Sequence, residues 1–108
     1  MNVYLICSEI GDEKLYKIGF TRRRIEDRIK EFETGNGSYI YIIYSYKSKW
    51  ATKIEARLHM IYNHKKIKNE WFNLDDNDIL KFNSHCELLH NNFEIISTQN
   101  TYLLEKIK

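Results

Sequence analysis

The ten residues from Leu15 to Arg24 have the composition of a segment that holds a phosphate group. They alternate like a β-strand as far as Gly19 and then carry three arginines, Arg22, Arg23 and Arg24, where a helix is expected to begin. Cations at a helix N-terminus oppose the helix dipole unless an anion lies nearby. The segment therefore favours a nucleic acid as its partner.

A β-hairpin and a helix are the elements that must position this segment. The run from Val3 to Cys7 predicts a first strand, and the polar turn from Ser8 to Glu13 joins it to the strand that follows. Thr21 can cap a helix over about residues 22–33, and the stretch Thr34–Gly37 supplies a helix stop. The sequence thus predicts a hairpin that leads directly into a basic helix.

One more strand and two more helices are predicted further along the chain. The almost continuous apolar and aromatic run from Ser38 to Tyr46 predicts a central strand that is covered on both faces. Residues 50–63 repeat apolar side chains at helical spacing. Residues 76–91 do the same, and Asp75 or Asp76 can cap this third helix.

Shorter segments complete the predicted order of elements. The basic stretch His64–Asn69 is predicted as a loop, and Glu70–Leu74 as a short aromatic strand. Trp71 and Phe72 are expected to close the core against the central strand. The run Phe93–Ser97 is predicted as a last strand.

Composition and charge favour one intracellular domain with a basic face. A length of 108 residues suits a single domain, no apolar run approaches the roughly 20 residues that cross a bilayer, and no secretory signal is visible. Cys7 and Cys86 are too few for a disulfide framework and are expected to be buried thiols. Residues 1–74 carry 14 Lys and Arg against 9 Asp and Glu, whereas residues 75–108 carry 3 against 6. A polyanion site is therefore expected in the first part of the chain, and the protein is expected in the cytoplasm or nucleus of a host cell.

Short motifs on these elements resemble those of the GIY-YIG nuclease superfamily. The similarity is to its divergent phage and viral branch, which has a KIG-x-T second motif and a terminal EWF. The matches, within residues 2–74, are Val3-Tyr4, Lys17-Ile18-Gly19-Phe20-Thr21, Arg28, Glu55 and Glu70-Trp71-Phe72. The resemblance implies an α+β fold, in which a small and mainly antiparallel sheet, made of the hairpin and the central strand, is flanked by helices. Residues 1–74 would form the catalytic core, and residues 75–108 an extension packed on the same domain.

The resemblance also implies metal-dependent hydrolysis of a DNA phosphodiester bond, by an endonuclease or a nickase. Such a reaction needs a divalent ion, a base for the attacking water and a cation for the transition state. Glu55 would be the single carboxylate that holds Mg²⁺ or Mn²⁺, and His59, one helical turn later, reaches the same ion or phosphate. Arg28 would contact the phosphate, and Tyr4 would position the water through its hydroxyl group. With Lys17, these residues are the predicted catalytic set.

Lys17 has two alternative roles in this set. It stands where many members of the superfamily have a tyrosine that is proposed as the general base. Tyr16 points to the opposite face of the strand and cannot replace that tyrosine. A lysine acts as a base only as the neutral amine, which burial or flanking arginines can favour. Otherwise Lys17 adds a cation to the phosphate pocket.

Other basic residues are predicted to bind the nucleic-acid backbone, with DNA as the expected partner and RNA as an alternative. They are Arg22, Arg23, Arg24, Lys65, Lys66 and Lys68. The same scaffold could instead bind nucleic acid without cutting it, or bind a host protein or an unusual nucleotide. Residues 75–108 are the expected contact for a homodimer or for another protein.

Each candidate also has a purely structural explanation. Glu55 could be a solvated helix residue, and His59 a packed or surface histidine. Arg28 could pair with Glu31 or Asp27 on its own helix. The sequence alone leaves both explanations open.

Overall fold

The computed structural model describes the backbone of residues 1–32 and 39–107 and the side chains of most residues up to Gln99. This described part of the chain contains five β-strands, three α-helices and one short 3-10 turn. In chain order they are β1 (Asn2–Ile10), β2 (Glu13–Thr21), α1 (Ile25–Phe32), β3 (Tyr39–Lys47), α2 (Ala51–Ile61), the 3-10 turn (Asn63–Lys65), β4 (Lys66–Lys68), β5 (Trp71–Phe72) and α3 (Asp76–Ile107).

The five strands form one antiparallel sheet in the order β3-β1-β2-β5-β4. β1 and β2 form the predicted hairpin, in which Ile10 lies opposite Glu13. Gly11, in the connecting turn, has a φ of +60°, which is a conformation that glycine adopts without strain. The predicted α+β fold, with a small antiparallel sheet flanked by helices, is confirmed.

β3 is not a central strand, because β1 and β2 lie in the interior of the sheet and β3 lies outside them. Residues Val3–Ser8 of β1 are buried, whereas β3 lies at the edge of the described sheet and is mostly half-buried or exposed. The prediction of a central strand over Ser38–Tyr46 is therefore wrong about its place in the sheet. An apolar run indicates burial but does not show which strands are its neighbours. The tyrosines of β3 suit an edge because their rings can pack while their hydroxyl groups reach water.

The strands beyond β2 differ in detail from their predictions. The segment His64–Asn69, predicted as a loop, contains part of the 3-10 turn and β4. Trp71 and Phe72 form a strand of two residues that pairs with β2, on the side opposite β1. Phe72 is fully buried, and Trp71 is partly buried against the core.

The sheet buries a core layer on each face. The odd-numbered residues of β1 from Val3 to Cys7 face α2 and α3, whereas Tyr4 and Ile6 face α1. This division follows from the two-residue period of a strand. Cys7 and Cys86 are both buried free thiols, as predicted.

α1 begins at Ile25, three residues later than predicted. Thr21 does not cap the helix, because it ends β2 and its hydroxyl oxygen accepts the backbone N–H of Arg23 at 3.0 Å. The three arginines therefore occupy the connection between β2 and α1. The predicted helix stop at Thr34–Gly37 lies outside the described residues.

The first turn of α1 is acidic and compensates the helix dipole itself. It carries Glu26 and Asp27, and the carbonyl oxygen of Arg24 accepts the N–H groups of Asp27 at 3.1 Å and Arg28 at 3.2 Å. The expected conflict between arginines and the helix dipole is therefore absent. The helix dipole therefore gives no reason to place an anion near these arginines.

α3 extends much further than predicted. It runs without interruption from Asp76 to Ile107, so the strand predicted at Phe93–Ser97 is wrong. Phe93 and the β-branched Ile95 and Ile96 are typical of a strand. Phe93 instead continues the apolar side of the helix and packs against the core. No described helix combines the length and apolar character needed to cross a membrane.

The sequence predicts Asp75 or Asp76 as the cap of α3, and Asp75 is the residue that caps the helix. Its Oδ1 atom accepts the N–H of Asp78 at 2.9 Å, and Asp78 Oδ2 accepts the N–H of Asp75 at 3.0 Å. This reciprocal pair has the arrangement of a capping box, in which two N–H groups at the helix start are satisfied. The N-terminus of α3 is thereby fixed next to β5.

Candidate active site

The candidate site lies where β2 continues beyond the end of β5. β5 pairs only with Tyr16 and Lys17, and the N–H of Ile18 reaches the carbonyl oxygen of Glu70 at 3.3 Å. The last residues of β2 have no β5 neighbour. Side chains from β1, α1, α2 and the start of β5 approach this end of the strand.

Gly19 allows the ring of Tyr4 to cross β2. The two residues are direct partners in the β1–β2 register. A Cβ atom at position 19 would lie 2.4 Å from the Tyr4 hydroxyl oxygen and 2.5 Å from its Cζ atom. Gly19 is therefore needed for the close approach of the ring and not for an unusual backbone angle.

The buried Tyr4 and the half-buried Arg28 form a hydrogen-bonded pair at this point. Only 1% of Tyr4 is exposed, and the Arg28 guanidinium donates to its hydroxyl oxygen. Burial raises the pKa of Tyr4, although the hydrogen bond and charge of Arg28 act in the opposite direction. Tyr4 is consequently a neutral phenol at physiological pH. Because its oxygen accepts from Arg28, its hydroxyl hydrogen is available to another acceptor.

Lys17 lies beside this pair as a paired cation. Its Nζ atom is 2.8 Å from Glu70 Oε2, its side chain is only 11% exposed, and it lies 5.6 Å from the ring centroid of Trp71. A carboxylate at this distance forms an ion pair with a lysine ammonium group. The geometry therefore favours the role of a cation for Lys17 over that of a base.

The His59 ring binds the backbone carbonyl group of Ile18 in β2. Its Nε2 atom lies 2.8 Å from the backbone oxygen of Ile18 and 3.2 Å from Glu55 Oε1. A carbonyl oxygen can only accept, so Nε2 carries the hydrogen and donates it. The ring also meets Phe72 edge-on, with centroids 4.9 Å apart. His59 and Glu55 share a helical face, as predicted, but the His59 Nε2 atom is occupied as a donor.

Glu55 is a partly desolvated carboxylate. Burial raises its pKa, Glu70 adds to the increase, and the charges of His59 and Lys17 oppose it. These interactions place Glu55, Glu70 and Lys17 within one electrostatic environment, to which Tyr4 also belongs. A desolvated carboxylate near a second carboxylate favours a cation as its neighbour.

The donor set fits an ion that needs few protein ligands. No group of three or more His, Cys, Asp or Glu side chains with metal-binding geometry occurs among the described residues. Mg²⁺ uses one or two carboxylates and retains several waters, whereas structural zinc needs four protein ligands. Glu55, as a single carboxylate, is therefore compatible with Mg²⁺ or Mn²⁺ and not with a structural zinc site.

An open cavity of about 300 Å³ adjoins the Tyr4–Arg28 pair. It is lined by Tyr4, Arg28, Glu70 and the segment Phe20–Arg23. Arg22 lies 5.6 Å from the ring centroid of Phe20. The cavity therefore combines three guanidinium groups, which are suited to bind phosphate oxygens.

A family model for the T5orf172 domain matches residues 1–100. The chain belongs to the T5orf172 domain family. No curated protein and no solved structure matches it. The family is phage-associated and often linked to nucleases of the GIY-YIG and HNH types, which is consistent with a nuclease-associated or DNA-binding module.

Arg24 and the lysines lie outside the cavity in this T5orf172 domain. Arg24 is exposed and lies 3.7 Å from a carboxylate oxygen of Glu26. Lys66 and Lys68 are exposed on β4, at the other edge of the described sheet. Lys66 shares a separate cavity with His59. These three side chains are accessible to a polyanion, and their role in binding stays a prediction.

Lys65 has a structural role that the sequence did not suggest. Its ammonium group forms an ion pair with Asp75 at 3.1 Å and another with Asp78. It therefore joins the 3-10 turn to the capping box of α3. Asp75 and Asp78 therefore largely neutralise the positive charge of Lys65 within the T5orf172 domain.

Two site residues were missed in the sequence. Glu70 was read as part of a structural aromatic strand, but its carboxylate binds Lys17 and lines the cavity. Glu31 was considered only as a structural partner of Arg28, but it contacts Arg23 as well. The Arg28–Glu31 pair agrees with the structural explanation given for Arg28, but sequence spacing does not reveal the contacts of Glu31 with Arg23 and of Glu70 with Lys17.

Proposed function

We propose that this T5orf172 domain is a metal-dependent DNA endonuclease or nickase of the GIY-YIG type. The observation that supports it best is the convergence of Glu55, Lys17 and the Tyr4–Arg28 pair at one end of β2. Each type of group that phosphodiester hydrolysis needs, except a proven base, is represented there. The matching family, with its links to nucleases, supports the same proposal.

The arginines would bind and orient the DNA backbone. Arg28 would contact a phosphate oxygen beside the Tyr4 hydroxyl, while Arg22 and Arg23 would bind from the cavity wall. Tyr4, which burial keeps as a neutral phenol, would donate its hydroxyl hydrogen to a phosphate or water oxygen. The burial of Tyr4 fixes this geometry before substrate arrives.

Glu55 would hold Mg²⁺ or Mn²⁺, with Glu70 as a second donor. When bound, the ion would supply a Lewis acid for the phosphate and make a coordinated water more acidic. Lys17 would add positive charge close to the phosphate that becomes more negative in the transition state. His59 would keep Glu55 and the edge of β2 in place through its bond to the Ile18 carbonyl group.

Plasmid cleavage tests this proposal. Supercoiled plasmid is incubated with the wild-type protein in Mg²⁺, in Mn²⁺ and in EDTA, alongside the variants Glu55→Gln and Glu26→Gln. Glu26→Gln removes a carboxylate that pairs with Arg24 outside the cavity and is the matched control. Metal-dependent nicking by the wild type and by Glu26→Gln, with none by Glu55→Gln, is expected. Intact DNA with every metal, from a folded protein, would reject the proposal.

A binding module that does not cut DNA is the second candidate. It is favoured by the carboxylates of Glu31 and Glu70, which already pair with the cations of the site. DNA binding that decreases with salt, survives Glu55→Gln and is never followed by cleavage would select this function.

We also propose that a second copy of the chain contacts α3. The residues of α3 that pack on the core follow the alternating spacing of a coiled-coil seam: Ile79, Phe82, Cys86, Leu89 and Phe93. The spacing continues past the core in the sequence, as Ile96, Asn100, Leu103 and Ile107. An isolated asparagine in such a seam is typical of a paired helix. A dimer would also place two active sites on one DNA molecule.

A further inference from the structure

Glu31 joins two guanidinium groups that line the cavity. Its Oε2 atom is 2.5 Å from Arg28 Nη1, and its Oε1 atom is 2.5 Å from Arg23 Nη2. Arg28 also donates to the Tyr4 hydroxyl oxygen. The Glu31 carboxylate therefore links Arg28 of α1 to Arg23, which lies between β2 and α1.

A carboxylate in this position resembles a bound phosphate. Guanidinium groups bind carboxylate and phosphate oxygens with the same planar donor geometry. Two oxygens of one phosphate could take the places of the two Glu31 oxygens. The hydrogen bonds from Arg28 and Arg23 lower the pKa of Glu31, so the group is an anion at physiological pH.

The Glu31 side chain is accessible enough to leave this position. It is 40% exposed, whereas the Arg28 side chain is 31% exposed. A departing carboxylate would be hydrated, and the guanidinium groups would remain at the cavity. The exposure of Glu31 therefore allows another anion to replace its carboxylate at these arginines.

We propose that Glu31 is a resident anion that DNA phosphate must displace from Arg23 and Arg28. The proposal depends on the proposed function, because it takes DNA as the incoming polyanion. A free phosphate gains little by replacing a carboxylate at the same two groups. A DNA strand also reaches Arg22 and the exposed lysines, so the exchange favours an extended polyanion over a small anion.

Glu31→Gln tests this role, with Glu26→Gln as the matched control. Both changes remove one carboxylate from α1, but Glu26 pairs with Arg24 outside the cavity. Affinity for a fluorescent DNA duplex is measured by anisotropy at several salt concentrations. Glu31→Gln should bind about three- to tenfold more tightly than the wild type, while Glu26→Gln changes affinity less. Arg23→Gln combined with Glu31→Gln should lose most of this gain.

A second measurement separates this inference from the proposed function. The melting temperature (Tm) is measured in sodium phosphate and in sodium chloride at equal ionic strength. Inorganic phosphate should stabilise Glu31→Gln more than the wild type or Glu26→Gln, because the arginine site is then open. This result would support Glu31 as a resident anion even if no variant bound DNA. Absence of DNA binding by every variant would reject the proposed function but not the resident anion. Equal DNA affinity and an equal phosphate effect in Glu31→Gln and Glu26→Gln would overturn the inference.

Discussion

Single side chains determine what the end of β2 can do. Gly19 leaves room for Tyr4, Tyr4 accepts a hydrogen bond from Arg28, and Glu70 forms an ion pair with Lys17. Each of these contacts joins residues that are distant in sequence. A substitution at one of these residues should therefore disturb its contact partner more than the residues next to it in the sequence.

Gly19→Ala should destabilise the protein through Tyr4. The new Cβ atom would overlap the Tyr4 ring, and overpacking of this kind typically costs about 1–3 kcal/mol in the free energy of unfolding. In a Tyr4→Ala background the ring is absent, so the same change should cost much less. Urea denaturation of the four proteins measures the coupling. Equal costs in both backgrounds would show that the ring does not lie over Gly19.

Glu55 should weaken the metal-free fold at neutral pH. Burial raises the pKa of its carboxyl group, so the ionised form is less favourable in the folded state than in the unfolded state. The penalty is absent below the unfolded pKa of about 4.3, grows as the pH rises from that value to the raised folded pKa, and stays constant above it. In metal-free buffer, Glu55→Gln should therefore have a higher Tm than the wild type near neutral pH and an equal Tm near pH 4.

Magnesium should reverse this difference. Millimolar Mg²⁺ should raise the Tm of the wild type, because it binds the folded protein through Glu55, and should leave Glu55→Gln unchanged. Thermal melts across this pH range, with and without Mg²⁺, measure both effects. A Tm difference that is independent of pH, or equal stabilisation of both proteins by Mg²⁺, would contradict the role of Glu55.

The secondary-structure elements show which parts of the fold could be predicted from the sequence. The hairpin and α2 were predictable because strand alternation and helical spacing are local properties. The edge position of β3 was not, because Tyr39–Lys47 has the composition of a buried strand but lies beside only β1 in the described sheet. The full length of α3 was not predictable, because the β-branched residues after Phe93 are typical of a strand. They favour a strand only when a partner strand is available. The Arg28–Glu31 pair was predictable from helical spacing, whereas the contacts of Glu31 with Arg23 and of Glu70 with Lys17 needed the three-dimensional structure.

Asp75→Ala should destabilise the start of α3. The N–H of Asp78 and the ammonium group of Lys65 lower the pKa of Asp75, so its carboxylate contributes to stability above the unfolded pKa. This contribution is lost as the pH falls through the lowered folded pKa. The Tm of Asp75→Ala should therefore lie below that of the wild type at neutral pH, and the gap should narrow in acid. Asp76→Ala is the control, and an equal effect of both changes would argue against the capping box.

The whole molecule is elongated because α3 projects from the sheet. The described chain extends 60 × 28 × 21 Å, and a helix of 32 residues is about 48 Å long. Within the described side chains of α3, Glu94 accepts a hydrogen bond from Trp50, which precedes α2, at 2.8 Å. Ile95 and Ile96 follow and are half exposed. The projecting part of α3 is therefore suited to pair with a second chain.

Ile96→Lys should separate the proposed dimer without unfolding the domain. Ile96 is 51% exposed, so a lysine is tolerated in the monomer but introduces a charge into a paired-helix seam. Leu80→Lys, at the other end of α3, changes a residue that is 70% exposed and is the control. Light scattering after size-exclusion chromatography should give a dimer for the wild type and for Leu80→Lys and a monomer for Ile96→Lys. A monomeric wild type at all concentrations would reject the dimer.

The nicking of supercoiled plasmid in Mg²⁺ tests the central claim most directly. The wild-type protein should convert the plasmid to the open-circular or linear form, and EDTA or Glu55→Gln should abolish this conversion while the protein stays folded. Intact plasmid with the folded wild type in both Mg²⁺ and Mn²⁺, or equal cleavage by Glu55→Gln, would contradict a nuclease site built on Glu55.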